Sequence, residues 1–170
     1  VILNFPNSDG DLESFRIIEA SVMSEELQLK FPNIRSYAGQ GLEDPSSIIR
    51  FSISDKKGIS SMRKAPGKKT SFIEMYSGHD DVFVVFDRSN TLKPDFSCST
   101  DEKFGTKMKG RFSETSRDAD TGKLHTFRLA LSCTGEYGSG VGGGTIAGVL
   151  SEFNATMTRV NGIFENDFAT

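Results

Sequence analysis

The chain has 170 residues, of which 36% are hydrophobic, with fourteen phenylalanines and no tryptophan, a composition that supports a globular protein with a core of moderate size. The formal net charge of -3 comes from 20 basic and 23 acidic residues spread along the sequence, so we expect no nucleic-acid partner. No run of about 18 apolar residues occurs, and we therefore expect no membrane span.

Residues 1–100 are predicted to form a β-rich antiparallel domain. Apolar and β-branched residues are concentrated in short segments separated by turn sequences, namely VILNF, SFRIIEASVM, SIIRFSIS, SFIEMYS and DVFVVFD. In the third segment, Ile49, Phe51 and Ile53 alternate with polar residues, so this strand is predicted to cover a core with one face only. One short helix is predicted over Ser24–Phe31, with Ser24 as its N-cap.

The composition changes after residue 100. Residues 101–123 contain many charges and few apolar side chains, so this segment is predicted to be an exposed processing linker. Earlier in the chain, four basic residues surround Pro66-Gly67, namely Arg63, Lys64, Lys68 and Lys69. We interpret this stretch as a solvated loop.

The last segment, residues 124–170, follows a different pattern. Thr126–Cys133 is predicted to be a strand, and Gly135–Gly144, with six glycines, a surface loop rather than a nucleotide-binding turn. A helix is predicted over 145–160, capped by Thr145 and closed by Asn161-Gly162, because large apolar residues recur at offsets of three and four: Ile146, Val149, Leu150, Phe153, Met157 and Val160. One strand and one helix bury too little surface to be stable alone, which indicates an incomplete domain.

Two stretches of the chain resemble a known family. HTFRLALSCTGEY and GGGTIAGVLSEFNATMTRVNGIFENDFAT are similar to the start of the catalytic domain of bacterial reprolysin-like zinc metallopeptidases, in the metzincin clan. The segment from VILNF to RFSIS resembles the propeptide of the same family. The resemblance implies an α+β chain: a β-rich antiparallel propeptide domain, followed by the first strand and long helix of a metzincin-type α/β protease domain.

The resemblance does not place the catalytic site within these residues. The family motif HExxHxxGxxH is absent, and neither of the two histidines, His79 and His125, is followed by Glu or by a second His four residues on. Three histidines are needed to hold zinc while a fourth position stays open for the reacting water. We therefore expect this chain to be inactive alone, and its zinc to be bound mainly by residues outside it.

Cys98 is the candidate metal ligand. In zymogens of this clan a propeptide thiolate can occupy the open zinc position, and the resemblance therefore implies that Cys98 is a candidate inhibitory ligand of a cysteine switch. The alternative is a structural cysteine or one bridged to Cys133, and Cys133 itself is otherwise expected to be an inert buried thiol.

These observations predict the N-terminal portion of a secreted bacterial zinc metalloendopeptidase zymogen, whose propeptide is both folding aid and inhibitor. Its expected partners are the remaining catalytic segment of the same precursor and the protein or peptide substrates of the mature enzyme. Because the chain starts at Val1, the signal peptide is expected to have been removed already. The alternative function is a non-enzymatic secreted β-rich module that binds a protein partner.

Overall fold

The computed structural model of the chain describes residues 1–76, 79, 81–90 and 128–167. Within these residues, seven antiparallel strands form one sheet in which every strand pairs with the next one along the chain. The strands are β1 (Ile2–Pro6), β2 (Leu12–Glu19), β3 (Arg35–Gly41), β4 (Ile48–Ser54), β5 (Gly58–Lys64), β6 (Ser71–Met75) and β7 (Phe83–Asp87). The helices are α1 (Glu25–Lys30), a 3-10 turn (Arg88–Asn90), α2 (Gly135–Gly140) and α3 (Ile146–Asp167). The predicted β-rich α+β fold is confirmed.

The described residues 1–90 and 130–167 belong to one compact unit. A second unit covers residues 92–129, of which only Arg128 and Leu129 are described. Sequence analysis assigned the sheet and helix α3 to different domains, 1–100 and 124–170. Here α3 packs on β3, β4 and β5, mainly on β4. The division of the chain into those domains stays a prediction. No helix in the described ranges combines the length and the apolar character that a bilayer crossing requires.

The sheet curls strongly around its inner face. The rings of Phe5 in β1 and Phe51 in β4 lie 5.1 Å apart, although two strands separate them in the sheet. Three strand spacings in a flat sheet would put them about 14 Å apart. The curl closes the inner face on itself around six buried residues: Phe5, Phe15, Ile17, Ile49, Phe51 and Ile73.

An ion pair crosses the same curl. Arg63 in β5 donates two hydrogen bonds to the carboxylate of Glu13 in β2, at 2.6 and 2.8 Å, and the Arg63 side chain is almost fully buried. The prediction that Arg63 belongs to a solvated loop is therefore wrong. A buried guanidinium needs such a bidentate carboxylate, because its charge would otherwise lose the hydration that water provides.

Both faces of β4 are covered, which corrects the prediction of a one-sided strand. Ile49 and Phe51 lie in the inner core, while Ser52 and Ser54 on the opposite face are also buried. Helix α3 covers that outer face. A strand with serines on its second face gives no sequence indication of burial, because serine occurs more often at the surface.

The short helix at residues 25–30 is confirmed, with Ser24 Oγ accepting a hydrogen bond from the Leu27 amide. The N-cap of α3 is confirmed too, since Thr145 Oγ1 accepts from the Gly148 amide at 3.0 Å. However, α3 continues past Asn161-Gly162 to Asp167. Gly162 lies within the helix, and Arg50 of the sheet approaches it so closely that an added Cβ would lie 2.4 Å from Arg50 Cγ.

The segment before α3 also differs from the prediction. The described part of Thr126–Cys133, residues 128–133, has no regular secondary structure, and the first glycines that follow form the short helix α2 instead of a loop. A strand is stable only when a neighbouring strand pairs with its amides and carbonyls. None of the seven strands pairs with these residues.

A substitution at Gly39 tests how tightly the sheet is curled at this position. A Cβ at this position would lie 2.5 Å from Ile17 Cδ1 and 2.6 Å from Ile49 Cγ2, so Gly39→Ala should lower the free energy of unfolding by about 1–3 kcal/mol in urea titrations. Gly138→Ala is the control, because no atom lies within 4 Å of the added carbon. Equal stabilities of the two variants would contradict the tight curl.

Asp87 predicts a pH dependence of stability. Its carboxylate accepts hydrogen bonds from the Ser89 hydroxyl and from Lys69 Nζ, which lower its pKa from 3.8 to about 2. Because the folded-state pKa is depressed, the charged form stabilises the fold above about pH 4, and this contribution is lost as the pH falls toward 2. The stability difference between the wild type and Asp87→Asn should therefore shrink over this range, as measured by urea unfolding. A difference independent of pH would contradict it.

Candidate functional site

The structure places few of the predicted site residues. Cys98, His125 and the linker 101–123 lie outside the described residues. His79 is exposed, with its ring stacked 5.5 Å from that of Tyr76. Cys133 is an exposed free thiol, so the prediction that it is buried is wrong. Among the described residues, no three His, Cys, Asp or Glu side chains are grouped so as to hold a metal ion.

Helix α3 is the feature that brings the most chemistry together, and it presents two distinct stripes. The small-residue stripe consists of Ser151, Ala155, Thr158 and Gly162, which recur at offsets of four, three and four and share one face. The apolar stripe is the set that predicted the helix: Ile146, Val149, Leu150, Phe153, Met157 and Val160. The two stripes lie on opposite faces of the helix.

The small-residue stripe faces the sheet. All four members are buried, although two of them carry hydroxyl groups. Ser151 Oγ donates to the carbonyl of Ala147 at 2.8 Å, and Thr158 Oγ1 donates to that of Asn154 at 2.6 Å. These bonds to the preceding turn satisfy the hydroxyls within the helix, so the stripe is buried without orphaned donors.

The sheet face beneath the helix is correspondingly small and polar. Ser52 pairs with Ser36 on one side and with Ser60 on the other, and all three serines are buried. Arg50 of β4 lies opposite Met62 of β5 in the strand register, on the same face of the sheet. We call this contact between α3 and the outer face of the sheet the polar seam.

Arg159 is the most connected residue of the polar seam. Its guanidinium donates to Ser60 Oγ at 2.7 Å, to the Ser61 carbonyl at 3.4 Å and to the carboxylate of Glu74 in β6. It also lies 5.5 Å from the centre of the Phe72 ring, in cation–π geometry. Burial lowers the pKa of Arg159, but a guanidinium keeps its proton in proteins, so the Glu74 carboxylate faces a full positive charge.

Two further ion pairs cross the polar seam. Lys57, in the turn between β4 and β5, lies 2.5 Å from the carboxylate of Glu152. Arg50 in β4 pairs with Glu165 near the end of the helix. Asn154, only 2% exposed, adds a hydrogen bond from its side-chain amide to the Arg35 carbonyl at 3.4 Å.

The apolar stripe faces away from the sheet. Its first residue, Ile146, is 78% exposed, and its other five members are partly buried. Between the stripe and helix α2 lies an open groove of about 580 Å³, whose apolar lining includes Leu131, Ile146, Val149, Leu150 and Phe153. The Tyr137 ring of α2 is stacked 5.9 Å from the Phe153 ring, and partial burial raises the pKa of Tyr137.

A second groove, of about 590 Å³, lies beside the last turns of α3. The stacked rings of Phe72 and Phe86, 5.5 Å apart, form part of its wall. Lys64, Arg88 and Arg159 also line it, so it is basic as well as aromatic. It shares Arg159 with the polar seam.

The spacing of the large apolar residues predicted helix α3, but the small-residue stripe was missed. The four small residues at offsets of four, three and four were visible, and such a stripe allows a helix to approach another surface closely. Without the structure, however, nothing indicated that the small face rather than the apolar face would meet the sheet, because burial of apolar area is the stronger expectation.

No family model matches the chain, and neither the curated proteins nor the solved structures gave a match.

Ala155 tests whether the small face is the packed one. Ala155→Leu should lower the free energy of unfolding by about 1–3 kcal/mol, because the added carbons have no room against the sheet. Thr156→Leu adds a side chain on an exposed position of the same helix and should change stability by no more than about 0.5 kcal/mol. Urea unfolding of both variants distinguishes the orientations, and a larger loss for Thr156→Leu would contradict the one described.

Proposed function

We propose that the chain is the N-terminal portion of a secreted bacterial zinc metalloendopeptidase zymogen. In this proposal residues 1–100 are the propeptide, which aids folding and inhibits the zinc site, and residues 101–123 are the processing linker. Residues 124–170 begin the catalytic domain. The zinc ligands and the substrate site belong to the remaining catalytic segment of the precursor.

The observation that carries the proposal is the outward-facing apolar stripe of α3. The part of the chain that resembles the start of a metzincin domain carries this stripe on the side of α3 opposite the sheet, where Ile146 is 78% exposed and an open apolar groove lies beside Val149 and Leu150. Exposed apolar patches and grooves mark interaction surfaces in soluble proteins. An incomplete catalytic domain accounts for it, because the downstream segment supplies the missing layer.

The closed inner core of the sheet supports the propeptide role. The six core residues lie in β1, β2, β4 and β6, and residues 130–167 contribute none of them. A sheet with its own core provides a preformed surface, and α3 lies on that surface through the polar seam. Such an arrangement suits a folding aid that must later be removed.

The first test is the metal and the activity of the longer precursor. The protein encoded by the full reading frame should contain one zinc ion per chain and hydrolyse a quenched-fluorescent protein substrate only after limited proteolysis within residues 101–123. A chelator should abolish that activity, because the metal supplies the reactive water. A precursor with neither bound zinc nor a His-Glu-x-x-His helix would contradict the proposal and favour the non-enzymatic binding module.

The second test concerns the inhibitory ligand. If the Cys98 thiolate occupies the open zinc position, Cys98→Ser should raise the hydrolysis rate of the uncut precursor by at least about tenfold, because water replaces the lost thiolate. Cys133→Ser is the matched control and should leave the uncut precursor latent. Equal latency of the two variants would contradict a cysteine switch at Cys98.

A further inference from the structure

We propose that the polar seam is a clamp that keeps helix α3 bound to the sheet after the chain between them has been cut, and that the clamp opens as its ion pairs are weakened. The inference rests on the proposed function for its biological meaning. It implies that cleavage of the linker is not sufficient for separation, and that a second, electrostatic step releases the propeptide.

The charges of the two sides are complementary along the helix. In order from its N-terminal end, α3 contributes Glu152, Arg159 and Glu165. These residues form ion pairs with three residues of the sheet side, respectively Lys57, Glu74 and Arg50. Each pair joins one residue before the linker to one residue after it. The three helix residues span 13 positions, about 20 Å of helix axis, so the clamp holds most of the helix rather than one point.

The seam offers little hydrophobic adhesion to replace these charges. Its helix side is formed by the small-residue stripe and Asn154, and its sheet side by serines with Met62 and Ala38 as the buried apolar residues. Buried apolar area is what usually makes an interface permanent. Here the ion pairs and their hydrogen bonds contribute a larger share of the free energy that holds the helix on the sheet. We therefore expect the clamp to be reversible.

Each ion pair has at least one largely buried partner, so it is screened less than a pair on the open surface. The side chains of Glu152 and Arg50 are 11% and 15% exposed, whereas those of their partners Lys57 and Glu165 are 36% and 55% exposed. Arg159 and Glu74 are each about a quarter exposed. Partly buried pairs are screened less than surface pairs, yet the screening length falls from about 8 Å at 0.15 M salt to about 3 Å at 1 M. We therefore expect a contact that persists in dilute salt and loosens in concentrated salt.

The test uses the whole 170-residue chain with a site-specific protease sequence inserted between residues 101 and 123 and a C-terminal affinity tag. The immobilised protein is cut and washed, and the N-terminal piece retained on the resin is quantified over time. At 0.05 M NaCl the piece should stay bound, and at 1 M NaCl it should leave at least about tenfold faster. Immediate release in dilute salt, or a release rate independent of salt, would overturn the inference.

Charge variants assign the effect to the seam. Glu152→Lys opposes Lys57 and should accelerate release in dilute salt by at least about tenfold, whereas Glu136→Lys, on exposed helix α2, should not. The double change Lys57→Glu with Glu152→Lys restores an opposite pair and should restore retention, which separates lost pairing from misfolding. Failure of this rescue, or equal effects of Glu152→Lys and Glu136→Lys, would overturn the assignment. None of these readouts needs peptidase activity, so they stand apart from the zinc test.

Discussion

The packing of α3 by its small-residue stripe is the constraint on which the arrangement of the molecule depends. Because Ser151, Ala155, Thr158 and Gly162 face the sheet, the helix lies close to β4, and long charged side chains reach across from both sides. The same orientation turns the apolar stripe outward. A helix rotated by half a turn would bury its isoleucines and phenylalanines and lose the three crossing ion pairs.

This orientation is possible because the sheet does not need the helix for its hydrophobic core. The curl that brings Phe5 to Phe51 fills the inner face with side chains from the strands themselves. Gly39 permits the curl by leaving room for Ile17 and Ile49, and the buried Arg63–Glu13 pair joins two strands across it. The outer face is thus left with small and polar residues, to which only a helix with a matching face can bind.

The sequence predicted the elements whose side chains follow a single clear period. The strands around Phe15, Phe51 and Val85 and the start of α3 at Thr145 were predictable, because apolar alternation or a capping residue defines each of them. Strands β3 and β5 were not identified, since RSYAGQG and GISSMRK are rich in glycine and serine and carry little apolar alternation. Their strand conformation comes from pairing with β4. The sequence Asn161-Gly162 is likewise typical of a helix end, whereas the glycine here allows the close approach of Arg50, which is a tertiary contact.

We propose that a downstream catalytic segment covers the face of α3 that lies opposite the sheet. Hydrogen–deuterium exchange of the 170-residue chain and of the full precursor measures this most directly, because an added layer slows opening of the helix beneath it. We expect the amides of residues 146–167 to exchange markedly more slowly in the precursor, and those of β4 and β5 to exchange at unchanged rates. Equal exchange of the helix in the two proteins would contradict it.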